Sequence, residues 1–223
     1  DLASAGSVDS TLKLFDFYLE EKDEKSAFEV LLRLKNSEDI RILHKFGNVY
    51  QNGIGVEKSL EKAIEFYDKA FLLGDYSAGF NIANIYYNNK NFVSAIPYLV
   101  NCAQNNHKQS IKMLAEFYQK GLGVVKDNQI AINFYLKLLN NGDDTVLFTI
   151  AKIYYSDKMY NEAFDYFLKA FNQNEYKSCI YLSNCYMLGQ GVNKSVEKAI
   201  DYLNVGCTHN DINCYKQLAI YYE

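Results

Sequence analysis

The sequence predicts an all-α fold, a right-handed α/α superhelix (solenoid) of antiparallel helix pairs with about 13 helices. Three observations lead to this prediction. Alanines recur at nearly constant spacing, a second set of small residues recurs between them, and the 223 residues contain one Pro. Because Pro breaks helix interiors, its near absence favours long uninterrupted helices.

One helix of each pair is marked by Ala followed by Ile or Phe. The successive spacings of these alanines are 36, 32, 36, 32 and 36 residues. The six positions are Ala27, Ala63, Ala95, Ala131, Ala163 and Ala199. We call the helices that carry them B helices.

The partner helices, called A helices, carry a mostly small residue with an aromatic three positions later. The markers are Phe15, Gly47, Ala83, Ala115, Ala151, Ser183 and Ala219. The aromatics are Tyr18, Tyr50, Tyr86, Tyr118, Tyr154, Tyr186 and Tyr222. A small residue at a fixed register lets two helices approach closely, and the Tyr one turn later fills the space beside that contact.

The alternation of 36 and 32 comes from the turn between the A and B helices. The A marker precedes the B marker by 16 residues in three repeats and by 12 in the other three. The longer turns read Gly-x-Gly-Val and begin at Gly53, Gly121 and Gly189, 68 residues apart. Glycine tolerates positive φ, which a wider loop after a helix requires. The sequence therefore predicts a double unit of 68 residues.

The template also predicts boundaries and caps. Four residues before the B alanines stand Asp23, Ser59, Asn91, Asp127, Met159 and Ser195. All but Met159 are N-cap residues, and Asn161 is an alternative cap for that helix. We expect one repeat domain over 1–223, with repeats at about 8–38, 39–75, 76–107, 108–143, 144–175, 176–211 and a half-repeat at 212–223. Residues 1–5 would be the tail of a preceding B helix, and the chain a fragment of a longer protein.

The longer repeats resemble Sel1-like repeats, and the shorter ones are similar to tetratricopeptide repeats. The first carries Gly47-Asn-Val-Tyr50-Gln-Asn-Gly53-Ile-Gly55-Val56, and related runs start at Ala115 and Ser183. For function, the resemblance implies scaffolds and adaptors in protein complexes, often in bacterial envelope processes and host interaction. It favours a bacterial, virulence-related protein of the periplasm, cell envelope or secreted fraction.

Composition and motif spacing argue against several other classes of function. The formal net charge of −4 and the lack of a basic cluster make nucleic acid an unfavourable partner, and no apolar run is long enough to span a membrane. The Gly-x-Gly turns follow helices, unlike phosphate loops. His44, His107 and His209 fall in different repeats without Cys or carboxylate at ligand spacing. We therefore predict no enzyme, no cofactor and no metal site.

The resemblance also implies a possible disulfide. In cysteine-rich Sel1 proteins such a bridge joins the end of a B helix to the next A helix, which points to Cys207 and Cys214. Those proteins have one more residue between the cysteines, and one residue turns a helical side chain by about 100°. Free thiols packed in the core, or a zinc site with His209, are the alternatives.

The predicted binding site is a concave groove lined by the A helices. By similarity to tetratricopeptide geometry, the residue after each small marker points into it. Asn side chains there could hold a peptide backbone, because an amide both donates and accepts, and aromatics would supply pockets. The candidate groove residues are His44, Asn48, Phe80, Asn84, Tyr87, Lys112, Glu116, Phe148, Lys152, Tyr155 and Asn184.

The leading functional prediction is a protein–protein interaction scaffold that binds an extended peptide or a partner helix in this groove. One alternative is an envelope or secreted protein that recognises a cell-wall glycan or peptide. Another is the non-catalytic repeat region of a larger enzyme. The sequence does not specify the partner or the oligomeric state.

Overall fold

A computed structural model describes residues 7–222, and in this range the chain is all-α, as predicted. It contains thirteen α-helices, one short 3₁₀ helix at Asp144–Val146 and no strand. The predicted tail at residues 1–5 lies outside the described residues. The α-helices are α1 Val8–Glu20, α2 Glu24–Leu32, α3 Ile40–Asn52, α4 Leu60–Leu72, α5 Tyr76–Asn88, α6 Phe92–Gln104, α7 Lys108–Lys120, α8 Asn128–Asn140, α9 Leu147–Ser156, α10 Tyr160–Asn172, α11 Ser178–Leu188, α12 Val196–Thr208 and α13 Ile212–Tyr222.

The odd-numbered helices are the predicted A helices and the even-numbered ones are the B helices. The chain divides into two compact units: Asp1–Leu114 with Leu122–Val125, and Ala115–Gly121 with Lys126–Glu223. We call them unit 1 and unit 2. Apart from α7, which is divided between the two units, consecutive helices within each unit pack side by side and are antiparallel. The single repeat domain over 1–223 stays a prediction.

The predicted N-caps are confirmed for five of the six B helices. The side chains of the five residues accept a hydrogen bond from the main-chain N–H three positions later, which satisfies a donor that the helix leaves free. These caps are Asp23, Ser59, Asn91, Asp127 and Ser195. In the sixth, α10 begins at Tyr160 after Met159, which offers no side-chain acceptor. The alternative cap, Asn161, lies inside the helix and is not used.

The marker positions explain why the helices approach closely. All six B-helix alanines are fully buried. On the A side, a Cβ at Gly47 would overlap the ring of Tyr67, which is itself fully buried. The absence of a side chain at Gly47 therefore makes room for an aromatic ring between α3 and α4.

Each of five repeats contains a stacked aromatic pair between its two helices. The A-helix Tyr pairs with the aromatic three residues after the B-helix Ala, at centroid separations of 5.6–6.2 Å and interplanar angles of 30° or less. Such pairs contribute about 0.5–1.5 kcal/mol each beyond their buried area. The pairs are Tyr50–Phe66, Tyr86–Tyr98, Tyr118–Phe134, Tyr154–Tyr166 and Tyr186–Tyr202.

The second glycine of each Gly-x-Gly turn has positive φ and also lies against the start of the preceding B helix. Gly55 and Gly191 have φ of +65° and +74°. A Cβ on either would overlap a main-chain carbonyl oxygen, that of Glu24 for Gly55 and that of Tyr160 for Gly191. The turn therefore packs onto the neighbouring repeat through backbone, and glycine is required for space as well as for conformation.

The B helices other than α2 end with a left-handed residue eleven positions after the marker alanine. These residues are Gly74, Asn106, Gly142, Asn174 and Asn210. The next N–H then donates back to a carbonyl five residues earlier, as in Asp75 to Ala70, which closes the helix end. In α2 the equivalent residue is Glu38, which does not adopt positive φ. That helix stops at Leu32, and the chain continues through turns to Ser37.

Candidate partner-binding surface

The A helices of unit 2 form a pocket of about 390 Å³ that contains three of the predicted groove residues. Phe148 and Lys152 come from α9, and Asn184 comes from α11. Residues one turn apart on a helix share a face, so the register set by the small markers brings these side chains together. Its other lining residues are Lys177, Ile180, Tyr181, Asp211 and Asn213.

The apolar part of this pocket is aromatic. The rings of Phe148 and Tyr181 meet edge to face, with centroids 5.6 Å apart. Tyr181 in turn stacks on Phe167, which is fully buried, at 4.6 Å. The core therefore holds both rings of the pocket in place, and their remaining surface can contact an apolar ligand group.

The charged part of the pocket is mainly cationic. The ammonium group of Lys152 lies 5.8 Å from the centre of the Phe148 ring and forms no ion pair with any residue of 7–222. Lys177 is 3.9 Å from Glu175 and is exposed. The carboxylate of Asp211 accepts the main-chain N–H of Asn213 at 2.8 Å, so part of its acceptor capacity is used by the start of α13. A ligand carboxylate would therefore meet favourable charge here.

The amide of Asn184 is already part of a polar link between A helices. Its Oδ1 accepts a hydrogen bond from Nε2 of Gln217 at 2.5 Å. The Nδ2 group of Asn184 makes no hydrogen bond to another described residue. Asn184 can thus donate to a peptide carbonyl while Gln217 fixes its orientation.

A second pocket, of about 430 Å³, lies between α3 and α5 in unit 1 and includes His44 and Asn48. The arginine and the lysine of its lining are paired within the protein. Arg41 contacts Asp9 and Asp39, and Lys45 contacts Asp16 at 2.9 Å. Since exposed pairs of this kind contribute little to stability, a ligand can replace them at small cost.

His44 is tied to the next A helix of unit 1. Its Nδ1 lies 2.5 Å from a carboxylate oxygen of Asp75, and its Nε2 lies 3.3 Å from Nδ2 of Asn81. With a proton on Nδ1, the imidazole donates to Asp75 and accepts from Asn81, so a neutral ring satisfies both contacts. His44 therefore links α3 to α5 besides lining the pocket.

The side-chain amide of Asn48 also forms a hydrogen bond within the protein. The hydroxyl of Tyr67, on α4, lies 2.5 Å from Oδ1 of Asn48 and 2.7 Å from Oε1 of Gln51. A hydroxyl has one hydrogen, so one of the two amides turns its NH₂ toward Tyr67. Burial raises the pKa of Tyr67 far above its usual value, so this hydroxyl stays protonated.

The remaining predicted residues do not line these two pockets. Phe80 packs on His107 and Tyr87 on Phe92, with centroids 5.4 and 5.6 Å apart. The four aromatics of the predicted groove, Phe80, Tyr87, Phe148 and Tyr155, are all half-buried because each packs on a neighbouring ring.

Tyr155 contacts the rings of Tyr160 and Tyr181, and its hydroxyl donates to Gln190 at 3.1 Å. Burial raises its pKa.

The polar members of the set differ in their contacts. Asn84 is half-buried, and its side chain forms no hydrogen bond with another described residue, which suits a ligand contact. Lys112 is exposed. Glu116 pairs with Lys120 one turn later, at 3.1 Å. The role of each as a groove residue stays a prediction.

Sequence reasoning missed Tyr181, Asp75 and Gln217. Asp75 carried a signal, because an Asp directly after the left-handed Gly74 is a typical N-cap, and its carboxylate does accept from the N–H groups of Ser77 and Ala78. Tyr181 carried none. Lys45, Asn81 and Thr149 occupy the equivalent position in three other repeats, so no repeated residue type points to Tyr181.

The five cysteines are buried free thiols in the structure. Cys179, Cys207 and Cys214 share one core cluster, and a Cβ on Gly206 would overlap the sulfur of Cys214. Burial raises the pKa of Cys179 to about 11 and that of Cys214 to about 12. The Cys207–Cys214 bridge stays a prediction.

Residues 7–222 contain neither a metal-binding cluster nor a membrane-spanning helix. No group of three or more His, Cys, Asp or Glu side chains is arranged to hold a metal ion. None of the described helices is both long and apolar enough to cross a bilayer.

A family model described as Sel1 repeat matches residues 44–75, 109–143, 157–175 and 177–211, more than half of the chain. Two solved structures support the fold over nearly all of it. A Sel1 repeat protein from Oxalobacter formigenes superposes with a TM-score of 0.68 at 23% identity, covering 97% of this chain and 89% of its own. A protective antigen of uropathogenic Escherichia coli displaying an SLR fold gives 0.70 at 23% identity, covering 99% and 50%.

Curated relatives come from varied organisms. A Sel1-like repeat-containing protein of Acanthamoeba polyphaga mimivirus is 32% identical over 123 residues, which is 55% of this chain and 23% of that protein. Cytochrome c oxidase assembly factor 7A of Xenopus laevis is 31% identical over 131 residues, 53% of this chain and 57% of its own. The chain thus spans less than two thirds of these relatives. The bacterial, virulence and envelope assignments stay predictions.

Proposed function

The chain belongs to the Sel1 repeat family, whose members generally mediate protein–protein interaction and are generally non-catalytic, and from this premise we propose that it binds an extended peptide segment of a partner protein on the face formed by its A helices. The observation that carries the proposal is the unit 2 pocket. It joins Phe148, Lys152 and Asn184, three residues at predicted groove positions, with the ring of Tyr181.

The pocket offers each element that peptide recognition requires. Asn184 has a free amide donor for a main-chain carbonyl, Phe148 and Tyr181 offer ring surface, and Lys152 and Lys177 offer positive charge. A segment with a carboxylate beside an apolar side chain matches this set. The partner is therefore a protein, and the chain acts as a scaffold without a reaction of its own.

The test is a selection of displayed random short peptides on the immobilised wild-type chain, followed by fluorescence anisotropy with the enriched peptides. We expect Lys152→Glu and Asn184→Ala each to raise the Kd about tenfold or more, the equivalent of roughly 1.4 kcal/mol of binding free energy. Lys169→Glu is the matched control, because Lys169 is an exposed lysine on the B helix α10, where its ammonium group lies over the ring of Tyr166.

Two results would count against the proposal. One is that neither groove variant weakens the binding of any enriched peptide. The other is the absence of any enriched peptide together with binding on a glycan array that the same variants abolish, which would favour glycan recognition on this face.

A further inference from the structure

Leu72 and Leu73, at the end of α4, are exposed where the other B helices are polar. Their side chains are 77% and 50% exposed. The repeats provide an internal comparison, since the same two positions can be read in the other five. They are occupied by Asn36–Ser37, Gln104–Asn105, Asn140–Asn141, Asn172–Gln173 and Thr208–His209. Adjacent leucines therefore occur at these two positions only in the repeat of α4.

A cavity of about 540 Å³ lies beside this pair, within unit 1. Its lining includes Leu43 and Phe66, which belong to the core of the second repeat. Residues 35–38 also line it, and this is the segment in which α2 fails to complete its last turn. Glu38, which lacks the positive φ of the equivalent residues, and the exposed pair Leu72–Leu73 thus line the same cavity, although they belong to different repeats.

The failure of α2 to finish has a local cause. In the other B helices the left-handed residue allows the next N–H to bond back into the helix. Here the N–H of Asp39 instead donates to the hydroxyl of Ser37 at 3.1 Å. Residues 33–36 form turns in place of a final α-helical turn, and they border the cavity.

We propose that Leu72, Leu73 and this cavity form a second docking surface, which receives an apolar side chain of a partner segment that also carries carboxylates. The volume is in the range of sites that hold drug-sized groups, so it accommodates a Leu or Phe side chain. Exposed apolar surface rimmed by polar residues is typical of interaction sites.

Charge selects the partner. Lys35 and Lys69 line the cavity, and the ammonium group of Lys69 lies 5.4 Å from the centre of the Phe66 ring. Neither lysine forms an ion pair with a residue of the described chain. Glu38 is the one acidic residue of the lining, so the local balance is positive. A segment with Asp or Glu beside its apolar anchor pairs with the two lysines and keeps its anchor on Leu43 and Phe66.

Two other occupants fit less well. A bilayer surface is flat and leaves a recess of this size unfilled. A second copy of the chain would place the same two lysines against each other at a symmetric contact, which like charge disfavours.

The test repeats the peptide selection on the Lys152→Glu/Asn184→Ala chain, so that success or failure here is separate from that of the A-helix pocket. We expect enriched peptides to combine Leu, Ile or Phe with Asp or Glu. Their Kd, measured by anisotropy, should rise about tenfold or more in Leu72→Asn/Leu73→Asn and in Lys35→Glu/Lys69→Glu. Both variants change exposed side chains, and far-UV circular dichroism checks that each remains folded.

A matched control adds Asn172→Leu/Gln173→Leu to the Leu72→Asn/Leu73→Asn chain. This places a leucine pair at the same register of α10, where the preceding B helix, α8, completes its last turn. Binding should not return. Gln173 lines a smaller pocket of about 260 Å³ that contains no lysine. Restored binding would therefore mean that leucines attract peptides without the larger cavity and its two lysines, and it would overturn the proposal.

Further results would also overturn it. They are no enriched peptide, enriched peptides without carboxylates, or a Kd that the lysine reversals leave unchanged. Light scattering that shows a wild-type dimer lost in Leu72→Asn/Leu73→Asn would assign the surface to a second copy. Binding to phosphatidylglycerol vesicles that depends on Leu72 would assign it to a membrane.

Discussion

Gly55 lies directly against the main-chain carbonyl of Glu24, so a turn of one repeat touches the first residue of the preceding B helix. Substitution Gly55→Ala adds a methyl group that overlaps this carbonyl and also forces Ala to adopt positive φ. We expect a loss of about 3 kcal/mol or more in the free energy of unfolding. Gly74→Ala is the control, because its φ is also positive but its Cβ would have no neighbour within 4 Å, so only about 1 kcal/mol should be lost. Urea denaturation followed by circular dichroism measures both, and equal losses would contradict the packing argument.

Lys90 holds a left-handed conformation, with φ of +58°, in the short turn between α5 and α6. Lys22 and Lys158 do the same in the other short repeats. A side chain at such a position is strained, whereas Gly is not, so Lys90→Gly should raise the free energy of unfolding by about 0.5–1 kcal/mol. The control is Lys13→Gly in the interior of α1, which should lower it by about 1 kcal/mol. A loss of stability in both variants would show that strain at Lys90 is negligible.

Ser183 stands at a small-marker position, and its hydroxyl is buried without a hydrogen-bond partner among the described residues. Removing an unsatisfied hydroxyl relieves its desolvation, so Ser183→Ala should raise the free energy of unfolding by about 1 kcal/mol. Ser110 is equally buried, but its hydroxyl lies 2.9 Å from Nδ1 of His107. Ser110→Ala should therefore lower stability by about the same amount. Thermal melts of the two variants check the opposite signs.

His107 makes stability depend on pH below neutrality. Burial lowers the pKa of His107 in the folded chain, although the charge of Asp75 opposes this. The unfolded chain therefore takes up a proton at a pH where the folded chain does not. Stability is fully present above the unfolded pKa of about 6.5 and is lost as pH falls toward the folded value, by at most about 1.4 kcal/mol per pH unit.

The variant His107→Gln isolates this contribution. Urea denaturation of both chains at about pH 7 and about pH 5 should show a smaller pH effect in the variant, since Gln does not titrate. An unchanged pH effect would show that it does not originate at His107.

The thiols should react slowly in the native protein. Burial raises the pKa of Cys185 to about 11 and that of Cys214 to about 12, and thiolates are the reactive form. With a thiol-specific chromogenic reagent we expect little reaction before denaturant is added and five thiols afterwards. A count of three after non-reducing denaturation would instead establish a bridge, and peptide mapping would show whether it joins Cys207 and Cys214.

The fold was predictable from sequence because the repeats of the chain can be aligned with one another. Six equivalent alanines and three Gly-x-Gly turns, compared with one another, located the helices, their caps and the 68-residue period. The Gly at position 55 was assigned to a wider turn, but its contact with Glu24 lies between repeats, and no periodic pattern records contacts of that kind.

The candidate site was predictable only in part. The register placed Phe148, Lys152 and Asn184 on one face, and they do share a pocket. Tyr181 was missed because its position varies from repeat to repeat. Conversely, the internal hydrogen bonds of Asn48 and Asn184 depend on Tyr67 and Gln217, which reach them from other helices. Residues that differ between repeats carry the specificity, and for them the repeats offer no comparison.

The turn at Leu122–Val125 groups with unit 1, although the chain on both sides of it belongs to unit 2. This follows from the way the second glycine of each such turn packs on the preceding B helix. No single cut in the polypeptide can then separate the two units cleanly. If a repeat is duplicated or deleted, the contact between such a turn and the preceding B helix is kept only when both are duplicated or deleted together. The unit of packing is accordingly offset from the helix pair.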